Sequence, residues 1–210
     1  MTTFEQLSQA VVAGKSKDAK ALTQQALTEG AQPGAVVDQA LVPAMAIVGD
    51  RFRDNQIFVP EMLMSARAMK ESLAILEPKL LAAGVQPKYT AVIGSVHGDL
   101  HDIGKNLVAI MWKGANFRVV DLGVNVSPAK FVAAIQQHQP QVVGLSTLLT
   151  TTMPAMVETV RVIRASGCPP VKIMVGGAPV TQQFANEIGA DGYSADASAA
   201  VEVALKLIGA

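Results

Sequence analysis

The sequence predicts a two-domain α/β protein, in which an N-terminal four-helix bundle cap precedes a Rossmann-like, flavodoxin-like domain with a five-stranded parallel sheet. Apolar residues recur at helical spacing from residue 3 to about residue 82. From residue 89 onward, short apolar runs alternate with helical stretches, which is typical of a parallel sheet covered on both faces. Ala83, Gly84 and Pro87 interrupt the pattern. We therefore predict a helical domain over residues 1–86 and a sheet domain over residues 87–210.

Four amphipathic segments make up the N-terminal half. Gly14 and Gly30 end the first two segments, and Pro33 with Gly34 precedes the third. Pro60 opens the fourth segment, because proline is favoured in the first turn of a helix. The predicted helices span about residues 4–13, 16–29, 35–52 and 60–82. Helices joined by such short connections are expected to pack as a small bundle.

Five apolar runs predict the strands of the C-terminal half, and a helical stretch follows each of them. The strands are predicted over residues 89–95, 117–122, 142–146, 171–175 and 191–193. The helices are predicted over residues 103–114, 127–138, 153–166, 180–188 and 196–208. Ligands of open parallel sheets bind at the carboxyl ends of the strands, so the segments after the strands are expected to carry the site.

The composition excludes several classes of protein. Lys+Arg and Asp+Glu both number 17, so the net charge is zero, whereas a nucleic-acid binder needs clustered positive charge. No apolar run in the sequence reaches the roughly 20 residues that a membrane-spanning helix needs. Glu5 lies in an N-terminus without a basic region before an apolar core, so no signal peptide is expected. The single cysteine, Cys168, excludes an intrachain disulfide. We expect a cytoplasmic protein that binds neither membranes nor nucleic acid.

The most informative segment is Ser95–Asn106 (SVHGDLHDIGKN), which lies between the first predicted strand and the helix that follows it. It is not a phosphate-binding loop, since the chain contains neither G-x-G-x-x-G nor G-x-x-x-x-G-K-[ST]. In an extended segment, the side chains of Asp99 and His101 point the same way. A carboxylate beside an imidazole selects one tautomer and raises the basicity of the other ring nitrogen, as it does behind metal-ligating histidines.

A metal bound at this segment needs ligands from elsewhere. One histidine is too few for a zinc site, which usually takes three or four protein donors. The sequence offers no cysteine cluster and no second paired histidine. A metal bound by His101 must therefore bring most of its coordination with it, as the ion of a macrocycle does.

Three sequence elements follow one another in order, each at the end of a predicted strand. They are Asp99-x-His101-x-x-Gly104, Ser146-x-Leu148 and Gly176-Gly177. Together they resemble the cobalamin-binding signature of the methionine synthase type. The N-terminal half is similar to the cap of that family in three stretches, residues 49–52 (GDRF), 58–62 (FVPEM) and 66–69 (ARAM). The length and order resemble those of the stand-alone corrinoid proteins of methanol, methylamine and aryl-ether demethylating systems, and the resemblance covers nearly the whole chain.

The resemblance implies a role for each element toward cobalamin. His101 replaces the cofactor's own benzimidazole as the lower cobalt ligand, and Asp99 hydrogen-bonds His101 and tunes it as a proton relay. Gly104 leaves room where the displaced nucleotide tail enters the sheet. Ser146 and Thr150 hydrogen-bond that tail.

Further residues are implied around the cofactor. Gly176 and Gly177 let the tail pass close to the backbone, since glycine has no side chain. Phe58, Met62 and Met69 are candidates to shield the upper, methyl-bearing face. The remaining implied contacts come from the two signature segments themselves: Gly98, Leu100, Asp102, Ile103 and Leu148.

Several of these residues have simpler interpretations. The methionines at near-helical spacing also suit an ordinary core, and Thr150 also suits a strand-to-helix turn with threonine caps. His97 lies in the same loop as His101 and is a rival ligand, although the spacing to Gly104 favours His101.

The function that the resemblance implies is that of a methyl carrier. Such a protein binds cobalamin base-off/His-on and accepts a methyl group from a substrate:corrinoid methyltransferase. A second, corrinoid:acceptor methyltransferase then transfers the methyl group to a thiol or a tetrahydrofolate, and a reductive activator is a further expected partner. No catalytic residue is assigned, because the cofactor supplies the chemistry while the protein supplies position and shielding. The methyl donor, the acceptor and the oligomeric state are not predicted.

Three other functions remain open. A cobalamin-dependent sensor or regulatory binding module is the main alternative, but a DNA-binding sensor would add a basic helix-turn-helix, and such sensors use a cap tryptophan that this chain lacks. The small subunit of an adenosylcobalamin mutase carries the same D-x-H-x-x-G but typically lacks a preceding four-helix cap. A flavodoxin-like protein without cobalamin would be distinguished by its absorption spectrum.

Overall fold

A computed structural model of the protein describes residues 1–84 and 86–210. The predicted linker includes Val85, which lies outside the described residues. The chain divides into two compact units: a helical unit of Met1–Pro87 with Gly114–Asn116, and a sheet unit of Lys88–Lys113 with Phe117–Ala210. Within this described part of the chain, no helix is both long and apolar enough to cross a membrane.

The helical unit contains the four predicted helical segments. Its helices are α1 (Thr3–Val12), α2 (Ser16–Thr28), α3 (Pro33–Val36), α4 (Val42–Arg53) and α5 (Val59–Ala82). A capping box starts α1, because the Thr2 hydroxyl accepts from the Glu5 N–H while the Glu5 carboxylate accepts from the Thr2 N–H. The first two helices end just before Gly14 and Gly30, which both adopt a positive φ.

α3 and α4 belong to one continuous helical run, which the sequence predicts as a single regular helix. A π-helical turn, Val37–Leu41, joins them, and the Val42 N–H donates to the Val37 carbonyl. Pro43 follows in the first turn of α4 and has no N–H with which to continue the regular hydrogen-bond pattern. The wider turn accommodates this proline. Buried residues recur every four residues from Val36 to Val48, a spacing that predicts a helix without distinguishing a regular helix from one with a wider turn.

Small and aliphatic side chains form the interior of the helical unit. Its largest fully buried side chains are Leu7, Leu41, Met45, Met62, Leu76, Val11 and Val36. Thr23, Ser65 and Ser72 are buried with them. The Ser65 hydroxyl donates to the Val12 carbonyl at 3.1 Å. The Ser72 hydroxyl is the only buried side-chain nitrogen or oxygen atom in the described residues that has no hydrogen-bond partner.

The two serines predict opposite effects of the same substitution. Ser72→Ala removes an unsatisfied buried hydroxyl and raises helix propensity, so we expect the free energy of unfolding to rise by about 1 kcal/mol. Ser65→Ala brings the same gain in helix propensity but removes a satisfied hydroxyl and leaves a carbonyl without its partner, so we expect a net loss of about 1 kcal/mol. Urea denaturation of the cofactor-free protein, followed by far-UV circular dichroism, measures both changes. Equal destabilisation by the two substitutions would contradict the assignment.

The sheet unit is a five-stranded parallel sheet with helices between successive strands. The strands are β1 (Tyr89–Ser95), β2 (Phe117–Asp121), β3 (Val142–Ser146), β4 (Lys172–Gly176) and β5 (Gly192–Tyr193), in the order β2-β1-β3-β4-β5. The helices are α6 (Ile103–Gly114), α7 (Pro128–His138), α8 (Met153–Ala165), α9 (Gln182–Glu187) and α10 (Ala199–Ile208). The predicted α/β fold is confirmed, with element ends that differ by at most three residues.

The largest of these differences lie at the starts of α9 and α10, where side chains hydrogen-bond the backbone. The Thr181 hydroxyl accepts from the Phe184 N–H, so α9 begins at Gln182. One carboxylate oxygen of Asp196 accepts from the N–H groups of Ser198 and Ala199 at the start of α10. The Thr181 cap lies outside α9, and a turn at Ala197 and Ser198 precedes α10.

The strand order places a crevice between β1 and β3. The connection from β1 leads to β2 on one side of β1, and the connection from β2 leads to β3 on the other side. Such a switch point opens a crevice at the carboxyl ends of the strands. The last residues of three strands lie in one row there, because Ser95 pairs with Ser146 and Ser146 pairs with Gly176. The fold thus brings the three elements of the predicted signature to the same edge of the sheet.

Candidate functional site

The site lies where the loops after β1 and β3 meet. We call residues His97–Asp102, which join β1 to α6 without forming a helix or strand, the histidine loop. After β3, Thr147–Leu149 lead into a short 3₁₀ turn at Thr150–Thr152. Residues of both segments hydrogen-bond the carboxylate of Asp99, so this carboxylate joins the two sides of the crevice.

The side chain of Asp99 is fully buried, and both of its oxygens accept hydrogen bonds. Oδ1 accepts from the backbone N–H of His101 at 2.9 Å and lies 2.9 Å from Nδ1 of the same residue. Oδ2 accepts from the Leu148 N–H at 2.7 Å and lies 2.9 Å from the hydroxyl oxygens of Thr147 and Thr152. A buried charge needs such partners, since an unpaired carboxylate would not remain ionised there.

These partners decide the protonation state of Asp99. Burial acts to raise the pKa of this carboxyl, but the hydrogen bonds from the Leu148 N–H, from His101 and from Thr147 outweigh it and hold the pKa well below its usual value. The carboxylate is therefore ionised and can only accept hydrogen bonds.

An ionised Asp99 selects the tautomer of His101. Because the carboxylate accepts, the neutral ring carries its proton on Nδ1 and leaves the lone pair of Nε2 free. The side chain of His101 is 48% exposed, whereas that of Asp99 is 0% exposed. The arrangement thus presents one imidazole nitrogen outward and anchors the other to a buried charge, as in metal-binding histidines.

Two threonines support the same carboxylate from the β3 side. Their hydroxyl oxygens, in Thr147 and Thr152, lie 2.5 Å apart. Thr152 also lies 3.0 Å from the Leu149 carbonyl oxygen. Two hydroxyl protons are therefore shared among the carboxylate of Asp99, the partner hydroxyl and this carbonyl. Neither threonine belongs to the predicted site.

Packing within the protein itself requires glycine at position 177. Its φ is +130°, and a Cβ at this position would lie 1.7 Å from the Thr147 carbonyl oxygen. A side chain would therefore displace the backbone that holds Asp99. At Gly176 a Cβ would lie 3.2 Å from the Ser194 carbonyl oxygen, which is a tight but smaller conflict. The predicted role of both glycines toward a nucleotide tail stays a prediction.

The other predicted residues of the β3 segment and of α6 remain available to a ligand. Ser146 is half-buried and Thr150 is exposed, and neither side chain has a hydrogen-bond partner among the described residues. A Cβ at Gly104 would meet no heavy atom within 4 Å. Packing within the protein therefore does not require glycine at position 104.

Exposed apolar side chains lie close to His101 in the sequence. Leu100 is 70% exposed and Ile103 is 72% exposed, on either side of His101 in the sequence. Leu148, whose N–H binds Asp99, is 44% exposed. Such side chains suit a large apolar ligand face above the imidazole.

The remaining loop positions have local roles. Gly98 has a φ of +82°, which glycine adopts at little cost. The Asp102 carboxylate is exposed and accepts from the Asn106 side chain at 3.1 Å. His97 is exposed, and no hydrogen bond of its side chain occurs in the described residues.

The three predicted cap residues differ in exposure. Phe58 is 63% exposed, whereas Met62 and Met69 are 0% and 4% exposed. The two methionines lie on the buried side of α5, where helical spacing places them in the core. A role for any of the three at the upper face of a cofactor stays a prediction.

The structure also adds residues that motif reasoning missed. The Ser95 hydroxyl and the loop residue Asn125 both hydrogen-bond the histidine loop. Lys105 is 3% exposed and donates to both carboxylate oxygens of Asp121, at 2.7 and 2.6 Å. This ion pair joins the start of α6 to the end of β2. The available signal was a polar residue at each strand end, which indicates a site without indicating the partners.

The donor set fits a metal that carries its own ligands. The described residues contain no group of three or more His, Cys, Asp or Glu side chains that could hold a metal ion. One outward imidazole, exposed apolar side chains around it and open space at Gly104 suit a metal macrocycle bound through a single axial position. The residues present therefore fit a corrinoid.

Comparisons with known proteins agree with this interpretation. Two family models, each described as a B12 binding domain, match residues 89–202 and 3–77. A corrinoid protein of Desulfitobacterium hafniense (strain Y51) is 38% identical over 213 residues, which cover 100% of this chain and 99% of that protein. Trimethylamine corrinoid protein 2 of Methanosarcina mazei is 39% identical over 192 residues, which cover 89% of this chain and 88% of that protein.

Solved structures show the same similarity. A chain of the methanol:cobalamin methyltransferase complex of Methanosarcina barkeri matches with a TM-score of 0.89 and 30% identity, covering 99% of this chain and 80% of that chain. A cobalamin-binding protein of Desulfitobacterium hafniense DCB-2 matches with a TM-score of 0.82 and 26% identity, covering 99% of both chains.

The fold and the donor set define a two-unit α/β protein whose sheet carries, at its carboxyl edge, residues that suit a metal macrocycle. The chain belongs to the family of corrinoid proteins with B12-binding domains, and its cofactor is cobalamin or a related corrinoid.

The hydrogen bonds of Asp99 predict that an isosteric amide cannot replace it. Both carboxylate oxygens accept a backbone N–H, from His101 and from Leu148, so the amide nitrogen of Asp99→Asn faces a donor in either orientation. We expect the free energy of unfolding to fall by about 2–3 kcal/mol. Urea denaturation of the cofactor-free protein measures it through the fluorescence of Trp112, the single tryptophan, which is buried in the sheet unit. Asp102→Asn, an exposed change in the same loop, is the control.

Wild type and Asp99→Asn should also differ in how their stability depends on pH. The pKa of Asp99 is lower in the folded than in the unfolded protein, so its stabilising effect is complete above the unfolded pKa of about 3.9 and is lost as the pH falls further. The difference in unfolding free energy between wild type and Asp99→Asn should therefore be constant near neutral pH and shrink below about pH 4. A difference that stays constant down to pH 3 would contradict an ionised Asp99.

Proposed function

We propose that the protein binds cobalamin base-off/His-on, with Nε2 of His101 as the lower axial ligand, and carries a methyl group between two methyltransferases. The observation that carries this proposal is the contact between Asp99 and His101, which leaves a single oriented nitrogen beside exposed apolar side chains. The bound corrin cobalt supplies the atom that accepts and releases the methyl group. The residues of the chain hold, orient and shield that atom.

The hydrogen-bonded carboxylate is the part of the site that controls the axial ligand. Asp99 keeps the proton on Nδ1 of His101 and stabilises positive charge on the ring. Thr147 and Thr152 stabilise the carboxylate in turn. An imidazole held in this way would offer Nε2 to the cobalt, with its basicity raised by the neighbouring negative charge.

The strand ends beside the imidazole suit the displaced nucleotide tail. Ser146 and Thr150 offer hydroxyl groups without partners among the described residues, and Gly104 faces open space. We propose that these three residues, with Gly176 and Gly177, line the path of the tail. Phe58 is the exposed candidate in the helical unit for contact with the upper face.

The partners follow from the carrier role. The relative found in a methanol:cobalamin methyltransferase complex supports a substrate-specific methyltransferase as the first partner. Relatives named for trimethylamine and dimethylamine are about equally similar to this chain. We propose that the partner, and not this chain, selects the donor. A corrinoid:acceptor methyltransferase and a reductive activator complete the proposed system.

The axial assignment predicts the spectrum of a reconstituted protein. Cobinamide lacks the benzimidazole tail, so any axial nitrogen in the Co(II) form must come from the protein. We expect electron paramagnetic resonance of the wild type to show coupling to one nitrogen and His101→Ala to lose this coupling. His97→Ala, an exposed change in the same loop, should keep it. Loss of the coupling in His97→Ala alone would move the ligand to His97, and no uptake of corrinoid by the wild type would refute the proposed function.

The tail path predicts a change that stabilises the protein and weakens the binding of the cofactor. Gly104 lies in the first turn of α6 with open space around it, so Gly104→Ala should stabilise the cofactor-free protein by up to about 1 kcal/mol. If the tail fills that space, the added methyl costs about 1–3 kcal/mol of cobalamin binding.

Equilibrium titration with cobalamin and with cobinamide measures this effect. Cobinamide has no nucleotide tail, so its affinity for Gly104→Ala should equal its affinity for the wild type. Ser146→Ala should likewise weaken the binding of cobalamin and leave the binding of cobinamide unchanged, but without the gain in stability. If Gly104→Ala weakened the binding of cobalamin and of cobinamide equally, Gly104 would lie under the ring rather than along the tail.

A further inference from the structure

We propose that Ser95 and Asn125 are positioning residues for the axial histidine, which fix the backbone of the histidine loop so that the ring of His101 is oriented before the corrinoid binds. The inference rests on the proposed function, because it requires His101 to be the axial ligand. It goes beyond the signature motif, since Ser95 precedes that motif and Asn125 lies in the loop between β2 and α7.

The histidine loop needs external support because it carries no helix or strand. The regular ladder of β1 ends near Val96, which forms a single bridge to Val126. Inside the loop, the Asp99 N–H donates to the Val96 carbonyl and the His101 N–H donates to the Asp99 carboxylate. These two bonds leave the His101 carbonyl, the Gly98 N–H and the Asp99 carbonyl to be satisfied from outside the loop.

Ser95 satisfies the carbonyl of His101. Its hydroxyl donates to that carbonyl at 2.6 Å, and the side chain is fully buried. Ser95 is itself fixed in the sheet, since its N–H donates to Gly123 and its carbonyl accepts from Val126. His101 is therefore held at its N–H and its ring by Asp99 and at its carbonyl by Ser95. Three fixed points determine the direction of the ring.

Asn125 satisfies the other two groups. Its side-chain oxygen accepts from the Gly98 N–H at 2.8 Å, and its own N–H donates to the Asp99 carbonyl at 2.9 Å. Asn125 has a φ of 52°, a left-handed conformation that asparagine tolerates better than most residues. One residue thus clamps two peptide groups of the histidine loop to the neighbouring loop.

Preorganisation is the physical consequence of these bonds. A loop that is already ordered loses less conformational entropy when its histidine binds a metal. Without Ser95 or the Asn125 side chain, the imidazole and its carboxylate are still present, but the ring samples more directions. The fraction of protein with the histidine bound should then fall, while the identity of the ligand stays the same.

The test uses full-length protein loaded with cobinamide and reduced to the Co(II) state, with electron paramagnetic resonance as the readout of the nitrogen-bound fraction. We expect Ser95→Ala and Asn125→Gly each to shift the ratio of histidine-bound to histidine-free cobalt by about two- to tenfold toward the free form. Glycine keeps the backbone conformation of residue 125 and removes only its side chain. Ser95→Thr and Asn125→Asp retain the hydrogen-bonding oxygens and should restore the ratio.

Matched controls separate positioning from stability. Ser65→Ala removes a buried hydroxyl that donates to a backbone carbonyl in the helical unit, and Asn55→Gly removes an exposed asparagine side chain at a φ of 56°. Both should leave the nitrogen-bound fraction unchanged, whatever they do to the melting temperature. Because Asn125 is exposed, Asn125→Gly tests the inference even if Ser95→Ala fails to fold.

The outcomes distinguish the two proposals. No nitrogen coupling in the wild type would refute the axial assignment and with it the proposed function. Nitrogen coupling in the wild type with an unchanged bound fraction in Asn125→Gly would refute the positioning role and leave the proposed function standing. Failure of the conservative variants to restore the ratio would likewise refute the positioning role alone.

Discussion

The buried carboxylate of Asp99 is the interaction on which the site depends. It is a charge without solvent contact, and it remains ionised because backbone N–H groups, two hydroxyls and an imidazole surround it. These donors come from the loops after two different strands. The same carboxylate therefore joins the two sides of the crevice and selects the tautomer of His101, so that the other ring nitrogen is the one proposed to bind the cofactor. Any change that moves one of these donors is transmitted to the ring.

The fold makes this convergence possible. In a parallel sheet all strands end at one edge, and the order β2-β1-β3-β4-β5 opens the crevice between β1 and β3. The double glycine at the end of β4 lies beside it, and Gly177 approaches the Thr147 carbonyl so closely that a side chain would not fit. A residue that would look like a ligand contact from its motif thus also supports the protein's own carboxylate. The proposed function and the packing of the protein both require glycine at this position.

The division of work between protein and cofactor accounts for the sparse donor set of the proposed site. The described residues hold no cluster of metal ligands, and the site consists of one oriented nitrogen, apolar side chains and hydroxyl groups at strand ends. Such a site can hold and shield a reactive cofactor and can present it to different partners. The similarity of this chain to relatives with different methyl donors in their names fits this arrangement.

The sequence by itself determined the fold class, the helices and strands to within a few residues, and the pairing of Asp99 with His101. These follow from local patterns: apolar periodicity, glycine and proline at boundaries, and two side chains separated by one residue. Only the tertiary structure decided which residues complete the site, because Thr147, Thr152, Ser95 and Asn125 reach the histidine loop from segments up to 53 residues away in the chain. It also decided that Met62 and Met69 are buried while Phe58 is exposed. The physical reason is that hydrogen bonds between loops depend on how strands are ordered in the sheet, and no periodicity in the chain encodes that order.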